Sequence, residues 1–228
     1  MVIADRTLED SELEIVGRLV DASNASLLCQ LSDGSKAIYK PIAGERPLWD
    51  FPDGNLASRE VAAYYVSQLC SFNLVPKTIL RDGPFGMGAV QQWIDIDEDL
   101  DVITLAQEKS AQLRSMALFD VLINNSDRKF GHILPTRSGS IYGCDHGVTF
   151  HTENKLRTVL WQFTGEKITN IEISQIDNLL ANLDENYLQN LITDPEIAAL
   201  KGRAINLLNA GQFPEPNPNW PAVPWPPY

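Results

Sequence analysis

Apolar and polar positions alternate along residues 13 to 40, LEIVGRLVDASNASLLCQLSDGSKAIYK, around two polar turns, SNAS and SDGS. Alternation with a period of two is typical of half-buried strands, because successive side chains point to opposite faces of a sheet. Two further stretches of this kind, VPKTILRD and GMGAVQQWIDI, flank a GPFG turn. The pattern therefore predicts roughly five antiparallel strands in the first part of the chain.

A loop and a helix are predicted between the third and fourth strands. Residues 41 to 55, PIAGERPLWDFPDGN, carry three Pro and two Gly and predict an irregular loop. In the stretch that follows, LASREVAAYYVSQLCSF, apolar residues recur at helical spacing. Ser58 is expected to cap this helix at its start, because a serine hydroxyl can accept from a free amide of the first turn.

The second half of the chain has a mainly helical pattern. Residues 105 to 122 have helical spacing, NNSDRKFGHIL interrupts them at residues 124 to 134, and SIYGCDHGVTF predicts a strand ending in a glycine-flanked turn. At least two more helices are predicted between residues 174 and 210, SQIDNLLANL and DPEIAALKGRAINLLNA. A sheet followed by helices predicts the α+β class.

The last stretch, FPEPNPNWPAVPWPPY, contains seven prolines and cannot form a regular helix or sheet. We expect an extended tail with polyproline character, flexible unless its aromatic residues hold it in place. Trp220, Trp225 and Tyr228 are the residues that could dock this tail against the body of the protein or against a partner.

Composition predicts a soluble globular protein. The chain has 228 residues, 44% of them apolar, and no apolar run approaches the length of about 20 residues that a membrane span needs. Its start, MVIADRTLEDSELEIVGRL, lacks the order of a secretory signal, which argues against export. The three cysteines, Cys29, Cys70 and Cys144, are odd in number and widely spaced, as in a cytoplasmic protein with reduced thiols.

The charge balance argues against nucleic acid as a partner. Thirty acidic residues against eighteen basic ones give a net charge of -12, which repels a phosphate backbone. Local basic clusters stand out for this reason, at Arg128 with Lys129 and at Lys155 with Arg157. They are either solvated surface charges or parts of a site.

Candidate chemistry lies in an ordered set of charged residues. The set has a lysine at a strand end, a glutamate in the following helix, an aspartate followed five residues later by a potential metal ligand, and a second aspartate before a glycine. Each residue alone is ordinary, but phosphoryl transfer from ATP requires these parts in this order. The residues are Lys40, Glu60, Asp127 with Lys129 and His132, and Asp145.

These motifs resemble those of the protein-kinase-like superfamily, in particular its phosphatidylinositol 3-/4-kinase-related and HipA-like branches. Asp127, Arg128 and Lys129 occupy the places of the Asp-Arg-His of the catalytic loop, and His132 occupies the place of Asn. The chain is also similar to an uncharacterised bacterial family with DRK, GH and DHG motifs. The resemblance implies a bilobal fold, with an N-lobe at 1–93, a helical C-lobe at 94–212 and the tail at 213–228.

The resemblance further implies a nucleotide site. Lys40 would hold the α- and β-phosphates of ATP and pair with Glu60, because a fixed ammonium offsets phosphate charge. Two segments would complete the site with backbone groups. They are the SNAS turn, with Asn24 and Ser26 over the phosphates, and the strand end at Gln92, Trp93 and Ile94, facing the adenine.

The transfer site is implied in the same way. Asp127 would orient the proton of the attacking hydroxyl, and Lys129 would contact the transferring phosphate. Asp145 would bind Mg²⁺ or Mn²⁺. His132 either binds metal, which would favour a transition ion such as Mn²⁺, or only forms a hydrogen bond within the loop. In the DHG motif, His146 replaces the usual aromatic residue.

Three functions are weighed. The first is a kinase that transfers the γ-phosphate of ATP to an unidentified hydroxyl acceptor, an anionic one if His151, Lys155 and Arg157 face the cleft. The second is a nucleotide-binding pseudokinase or an AMP-transferring module that acts on a protein partner, through the tail. The third is a transition-metal hydrolase. Its ligands would come from His132, Asp145, His146 and His151, with Cys144 nearby.

Overall fold

The computed structural model describes residues 7–19 and 24–228. Its main sheet has five antiparallel strands in the order β1-β2-β3-β5-β4, and a second sheet pairs β6 with β7. The strands are β1 Glu14–Arg18, β2 Leu27–Gln30, β3 Lys36–Pro41, β4 Thr78–Gly83, β5 Gly86–Gln92, β6 Ile133–Pro135 and β7 Ile141–Gly143. The prediction of a five-stranded antiparallel sheet in an α+β protein is confirmed.

Helices follow the sheet and also pack against it. They are α1 Thr7–Asp10, α2 Leu56–Leu69, α3 Val102–Ala106, α4 Ala111–Ile123, α5 Asn170–Asn182, α6 Glu185–Leu188 and α7 Asp194–Ala210. Short 3-10 turns lie at Ile42–Gly44, Phe130–His132 and Trp161–Phe163. In the described part of the chain, no helix has both the length and the apolar character that a membrane crossing requires.

The two faces of the main sheet have different coverings, as strand alternation requires. One face, with Cys29, Tyr39 and Val90, packs against apolar residues around α1, including Leu8 and Leu13. The opposite face packs against α2 and joins the larger core formed with the C-terminal helices. Lys40 lies opposite Ala89 of β5, which belongs to that larger core. Lys40 is therefore on the face turned towards α2 and the C-lobe.

Helix α2 begins where the sequence predicts it, but with a different cap. The cap is Asn55, whose side-chain oxygen accepts a hydrogen bond of 2.7 Å from the amide of Ser58. The expectation that Ser58 caps the helix is therefore wrong. Asn55 precedes the first helical residue with an extended backbone, which leaves its side chain free to reach an amide in the first turn.

The helical pattern at residues 105 to 122 corresponds to two helices, α3 and α4. The break falls before Ser110, whose hydroxyl accepts from the amide of Leu113 at 3.3 Å and caps α4. Helix α4 ends at Asn124, which has a left-handed backbone with φ of 52°. The turn at Asn124 leads directly into the DRK segment, and the chain stays buried at Asn125 and Ser126.

The C-terminal tail, residues 213–228, is docked on the C-lobe. The carbonyl of Ala222 accepts from the amide of Thr158 at 3.0 Å and from the indole of Trp161 at 2.8 Å. Trp220 packs against the body, whereas Trp225 and Tyr228 are 89% and 66% exposed. Trp220 therefore docks the tail against the body, whereas docking of Trp225 and Tyr228 against a partner stays a prediction.

Candidate active site

A buried ion pair fixes the loop that follows α4. The guanidinium of Arg128 is fully buried and donates to the carboxylate of Asp120 in α4, at 2.9 Å. The same guanidinium donates to the carbonyls of His132 and Cys144, at 3.3 and 3.2 Å, and lies 2.7 Å from Nε2 of His146. Arg128 thus joins the DRK segment to the DHG segment, and the alternative that it is a solvated surface charge is wrong.

The amide side chain of Asn125 adds a second link to the same aspartate. Its nitrogen donates to Asp120 at 2.9 Å, and its oxygen accepts from the amide of Asp127 at 3.0 Å. Sequence reasoning missed both Asp120 and Asn125. A signal was present, because an aspartate inside the apolar run AQLRSMALFDVLI must find a partner when it is buried.

Three charged residues from distant parts of the chain meet across the cleft. The ammonium of Lys40 forms an ion pair with Glu60 of α2 and lies 3.0 Å from Oδ1 of Asp145. The other oxygen of Glu60 accepts from the amide of His146 at 3.0 Å. The Glu60 carboxylate is buried, whereas the side chain of Asp145 is 52% exposed. One carboxylate therefore holds the lysine in place, and the other faces the cleft.

The electrostatics of this cluster keep its charges ionised. Burial alone would lower the pKa of Lys40, but the attraction of Asp145 and Glu60 outweighs it and raises that pKa above its ordinary value. In return, the ammonium of Lys40 holds the pKa of Asp145 well below the usual range of a carboxyl group, against the effect of burial. Asp145 is thus a carboxylate at neutral pH, the form in which it can bind a cation.

Asp127 points into the same cleft from the turn after α4. Its carboxylate lies 3.3 Å from the ammonium of Lys129. Burial raises the pKa of Asp127, and the ammonium of Lys129 offsets part of that effect. A carboxylate with a raised pKa accepts a proton more readily than a solvated one, which suits a group that interacts with an attacking hydroxyl.

His132 faces Asp145 with one ring nitrogen and the protein interior with the other. Its Nε2 lies 3.4 Å from Oδ2 of Asp145, and its Nδ1 is buried without a hydrogen-bond partner among the described residues. Burial lowers the pKa of His132, so the imidazole is neutral at pH 7. A neutral imidazole beside a carboxylate has the donor atoms that a transition-metal ion uses.

Lys40, Glu60, Asp127 and Asp145 line one cleft of about 280 Å³, whereas Lys129 and His132 are not among the residues that line it. Its walls come from the SNAS turn, the loop after β3, the start of α2, the DRK segment, the DHG segment and Arg157. The predicted site residues among its lining are Asn24, Ser26, Lys40, Glu60, Asp127 and Asp145. Ser23, the first residue of the SNAS turn, lies outside the described residues.

The predicted adenine segment is not brought into this cleft. The amide of Gln92 donates to the carbonyl of Lys77 at 2.8 Å, and that of Trp93 donates to Lys36 at 3.1 Å. Gln92 and Trp93 line a separate cavity of about 380 Å³ with residues around α1 and the β2–β3 turn. Ile94 lines neither cavity. The role of this segment towards adenine stays a prediction.

Lys155 and Arg157 have different surroundings, although two positions separate them. Lys155 is buried between the rings of Trp49 and Trp220, with its ammonium 5.1 and 5.0 Å from the ring centroids and 3.3 Å from Asp50. The ammonium of Lys155 is therefore not available to a ligand. Arg157 does line the cleft, in agreement with one of the two alternatives given for this pair.

The ligand set of the hydrolase hypothesis is spread apart. His146 is fully buried against Phe119 and Arg128, and Nδ1 of His151 accepts from the amide of Glu153 at 3.0 Å. Residues 7–19 and 24–228 contain no group of three or more His, Cys, Asp or Glu side chains placed to hold a metal ion. A cation in the cleft would therefore need further ligands from a bound molecule.

Solved structures show which fold this is. A Golgi casein kinase with Mn and ADP bound matches with a TM-score of 0.58 and 13% identity, over 90% of this chain and 74% of that one. A second Golgi casein kinase structure matches at 0.54 and 13%, over 90% and 72% of the two chains. The Helicobacter pylori proinflammatory kinase CtkA matches at 0.52 and 11%, over 86% and 91%. The chain has the bilobal protein-kinase-like fold.

Sequence comparison gives a relative of nearly the same extent. No family model matches the chain. Protein Rv2133c of Mycobacterium tuberculosis (strain ATCC 25618 / H37Rv) is 42% identical over an alignment of 260 residues, which covers 96% of this chain and 93% of that protein. With this identity along almost the full length of both proteins, the chain belongs to the family of Protein Rv2133c.

Proposed function

We propose that the protein is an ATP-dependent phosphotransferase that transfers the γ-phosphate to a hydroxyl acceptor. One observation carries the proposal. Lys40 of β3, Glu60 of α2, Asp127 after α4 and Asp145 after β7 come together at one cleft, although 105 positions separate Lys40 from Asp145. Phosphoryl transfer is mainly positioning and charge neutralisation, and these residues supply both.

The residues suit a nucleotide with a divalent cation. Asp145 offers an ionised, half-exposed carboxylate, and His132 offers a neutral imidazole beside it. Mg²⁺ and Mn²⁺ in such sites take only a few protein ligands and complete their coordination with phosphate oxygens and water. When bound, the cation would neutralise charge on the phosphates.

Each remaining residue has a role that its surroundings support. The Lys40 ammonium, held by Glu60, would contact the phosphates. Asp127 would orient the acceptor hydroxyl and take its proton, and Lys129 would balance the charge of the transferring group. Kinship with the phosphatidylinositol 3-/4-kinase-related and HipA-like branches is supported only in part, because His132 stands where those branches have Asn. An imidazole at this position favours Mn²⁺ over Mg²⁺.

Thermal unfolding with nucleotide tests this proposal directly. The melting temperature should rise with a non-hydrolysable ATP analogue and Mn²⁺, because a ligand of the native state stabilises it by mass action. Asp145→Asn should abolish the rise, and Arg137→Gln, a change at an exposed arginine that does not line the cleft, should not. An unchanged melting temperature at millimolar nucleotide with either Mn²⁺ or Mg²⁺ would refute nucleotide binding.

A second candidate function is a nucleotide-binding module without phosphoryl transfer, or one that transfers AMP to a protein partner. The contact between His132 and Asp145 favours it, because a histidine there alters the second metal position of a kinase. Mass spectrometry after incubation with ATP separates the candidates. Phosphate and AMP give adducts of different mass, and a pseudokinase gives neither.

A further inference from the structure

Two guanidinium groups line the cleft without a carboxylate partner among the described residues, Arg46 and Arg157. The carboxylates that line the same cleft all have partners. The pairs are Glu45 with the amides of Leu56 and Ala57, Asp50 with Lys155, Glu60 and Asp145 with Lys40, and Asp127 with Lys129. The positive charge of these two arginines is thus left for a ligand.

Arg157 is held firmly beside the catalytic loop. Its Nε donates to the carbonyl of Ser126 at 2.6 Å, next to Asp127. Its amide donates to Asn125 at 2.9 Å, and its carbonyl accepts from the amide of Arg128 at 3.1 Å. The backbone of Arg157 therefore runs alongside residues 125 to 128, on the C-lobe side of the cleft.

The ring of Trp220 lies against this guanidinium. The central carbon of Arg157 lies 5.6 Å from the ring centroid, a distance at which a guanidinium stacks on an aromatic face. Trp220 is itself held, because its indole nitrogen donates to the carbonyl of Lys155 at 3.1 Å. The tail thus supports Arg157 from behind, although Trp220 itself is not among the residues that line the cleft.

The terminal nitrogens of Arg157 make no hydrogen bond within residues 7–19 and 24–228. A guanidinium has five N–H donors in a planar fork, and only the Nε–H of Arg157 is used. The two terminal groups match the two oxygens of a carboxylate or a phosphate. Arg46 lies by contrast next to the SNAS turn, where its amide donates to the side chain of Asn24 at 2.8 Å, on the side proposed for the nucleotide.

We infer that Arg157 binds an anionic group of the acceptor, a carboxylate or a phosphate, and that Trp220 is the residue that positions it. The inference rests on the proposed function, since it assigns a substrate class to the same cleft. The acceptor carries its reacting hydroxyl within reach of Asp127 and a negative charge within reach of Arg157. Neutral alcohols lack the second group and are poorer acceptors.

Calorimetric titration with inorganic phosphate, without nucleotide, tests this assignment. Arg157→Gln should raise the phosphate Kd about tenfold or more. The Kd of Arg157→Lys should lie between those of Arg157→Gln and the native protein, because lysine keeps the positive charge but lacks the planar pair of terminal N–H groups. Arg137→Gln is the matched control, because it makes the same change of charge at an exposed position and should leave the Kd within about twofold.

A second titration, with the ATP analogue and Mn²⁺, separates the acceptor from the nucleotide as the source of the anion. Arg157→Gln should leave the nucleotide Kd within about threefold. A tenfold loss of nucleotide affinity would show that Arg157 contacts the γ-phosphate, and an unchanged phosphate Kd would show that it binds no anion. Either result overturns the inference. A third result is possible, in which the protein binds no nucleotide but still binds phosphate through Arg157. That result would refute the proposed function, while Arg157 would remain an anion-binding residue.

The part played by Trp220 has its own test. Trp220→Phe keeps an aromatic face and Trp220→Leu does not, while both lose the hydrogen bond to Lys155. We expect Trp220→Leu to weaken phosphate binding several-fold and Trp220→Phe to restore most of it. In the background of Arg157→Gln, Trp220→Leu should have no further effect on the phosphate Kd. An equal effect in both backgrounds would mean that Trp220 acts only through general stability.

Discussion

Two clusters of opposite charges lie side by side in this protein, one around Arg128 and one around Lys40. Arg128 and Asp120 are fully buried, and the guanidinium of Arg128 is bonded on all three of its nitrogens. Lys40 is also paired, with Glu60 and Asp145, but the side chain of Asp145 is 52% exposed to the cleft. The two clusters use the same kinds of groups and differ in how completely their surroundings satisfy them.

The difference separates a structural role from a functional one. A buried charge network whose donors are all satisfied can bind nothing further, so the Arg128 cluster serves to hold the DRK and DHG segments together. The Lys40 cluster keeps a carboxylate with unused oxygen lone pairs in contact with solvent. It can therefore accept a cation or a phosphate-bound metal without rearranging the core.

The largest effect is expected from breaking the buried cluster. Arg128→Met leaves the Asp120 carboxylate uncompensated inside the protein, which should lower the free energy of unfolding by about 3–5 kcal/mol. Urea denaturation at neutral pH measures the change. The double variant Arg128→Met with Asp120→Leu should recover part of the loss, because no lone charge remains. A loss below about 1 kcal/mol in the single variant would contradict the structural role.

The open cluster should show the reverse behaviour. Asp145→Asn should reduce phosphoryl transfer at least about a hundredfold, equivalent to about 2.7 kcal/mol of transition-state stabilisation, because the cation loses its carboxylate. The free energy of unfolding should change by no more than about 1 kcal/mol, since the side chain is half exposed. Radiolabel transfer from ATP and urea denaturation of the same sample provide the two numbers. Equal losses of transfer activity and of unfolding free energy, both expressed in kcal/mol, would contradict the distinction between the two clusters.

His132 belongs to the edge of the open cluster and should set its metal preference. Restoring the usual residue with His132→Asn should shift the preference from Mn²⁺ towards Mg²⁺ by about tenfold, since an amide oxygen is a harder ligand than imidazole. Metal titration of the nucleotide-dependent rise in melting temperature measures this ratio. His151→Asn is the control, because Nδ1 of His151 already accepts from the amide of Glu153. An unchanged ratio would mean that His132 only holds the loop and does not bind the metal ion.

A contact between the lobes offers a smaller test of the same principle. Lys155 lies between Trp49, which is 85% exposed, and Trp220 of the tail. A double-mutant cycle of Trp49→Ala and Lys155→Met should give a coupling energy of about 0.5–1 kcal/mol, because the ring of Trp49 is exposed although Lys155 is buried. Trp225→Ala, at an equally exposed tryptophan, should change the unfolding free energy by less than about 0.5 kcal/mol.

The last effect is of similar size and concerns the ion pair of Arg114 and Glu172, which lies outside both clusters. Burial alone would raise the pKa of Glu172, but hydrogen bonds from Arg114 and from Thr169 outweigh it, and the pKa is lowered. A lowered folded-state pKa adds stability above the unfolded-state pKa of about 4.5, and that stability is lost as the pH falls through the folded-state value. Glu172→Gln should therefore cost up to about 1 kcal/mol at pH 7 and almost nothing at pH 2. A cost that does not depend on pH would contradict the ion pair.

Predictions from sequence were most successful where the signal is local. The alternation at residues 13 to 40 predicts strands β1 to β3, and helical spacing predicts α2. The errors concern where helices begin and end, which the spacing of apolar residues does not determine. Examples are the cap at Asn55 and the break before Ser110 that divides α3 from α4. The short strand β6 was missed because three residues are too few to show a period.

In the site, the sequence indicated the charged residues but not their partners. The order of Lys40, Glu60, Asp127 and Asp145 along the chain indicated phosphoryl transfer, and the family resemblance of these motifs implied a fold of two lobes. The pairing of Asp120 with Arg128 and the burial of Lys155 between two indoles were not predictable. Both depend on which segments pack together, and charge alone does not distinguish a buried side chain from a solvated one.

The sequence by itself thus determined the class of fold and the order of the candidate residues, because strand and helix periods and motif spacing are properties of neighbouring positions. The tertiary structure decided which charges are saturated and which are free to bind. Arg157 and Lys155 are two positions apart, yet one lines the cleft on a tryptophan ring and the other is enclosed by two such rings. The physical reason is that the tail and the loop after β3 approach this segment only in the folded protein, and their contacts set the solvation of each charge.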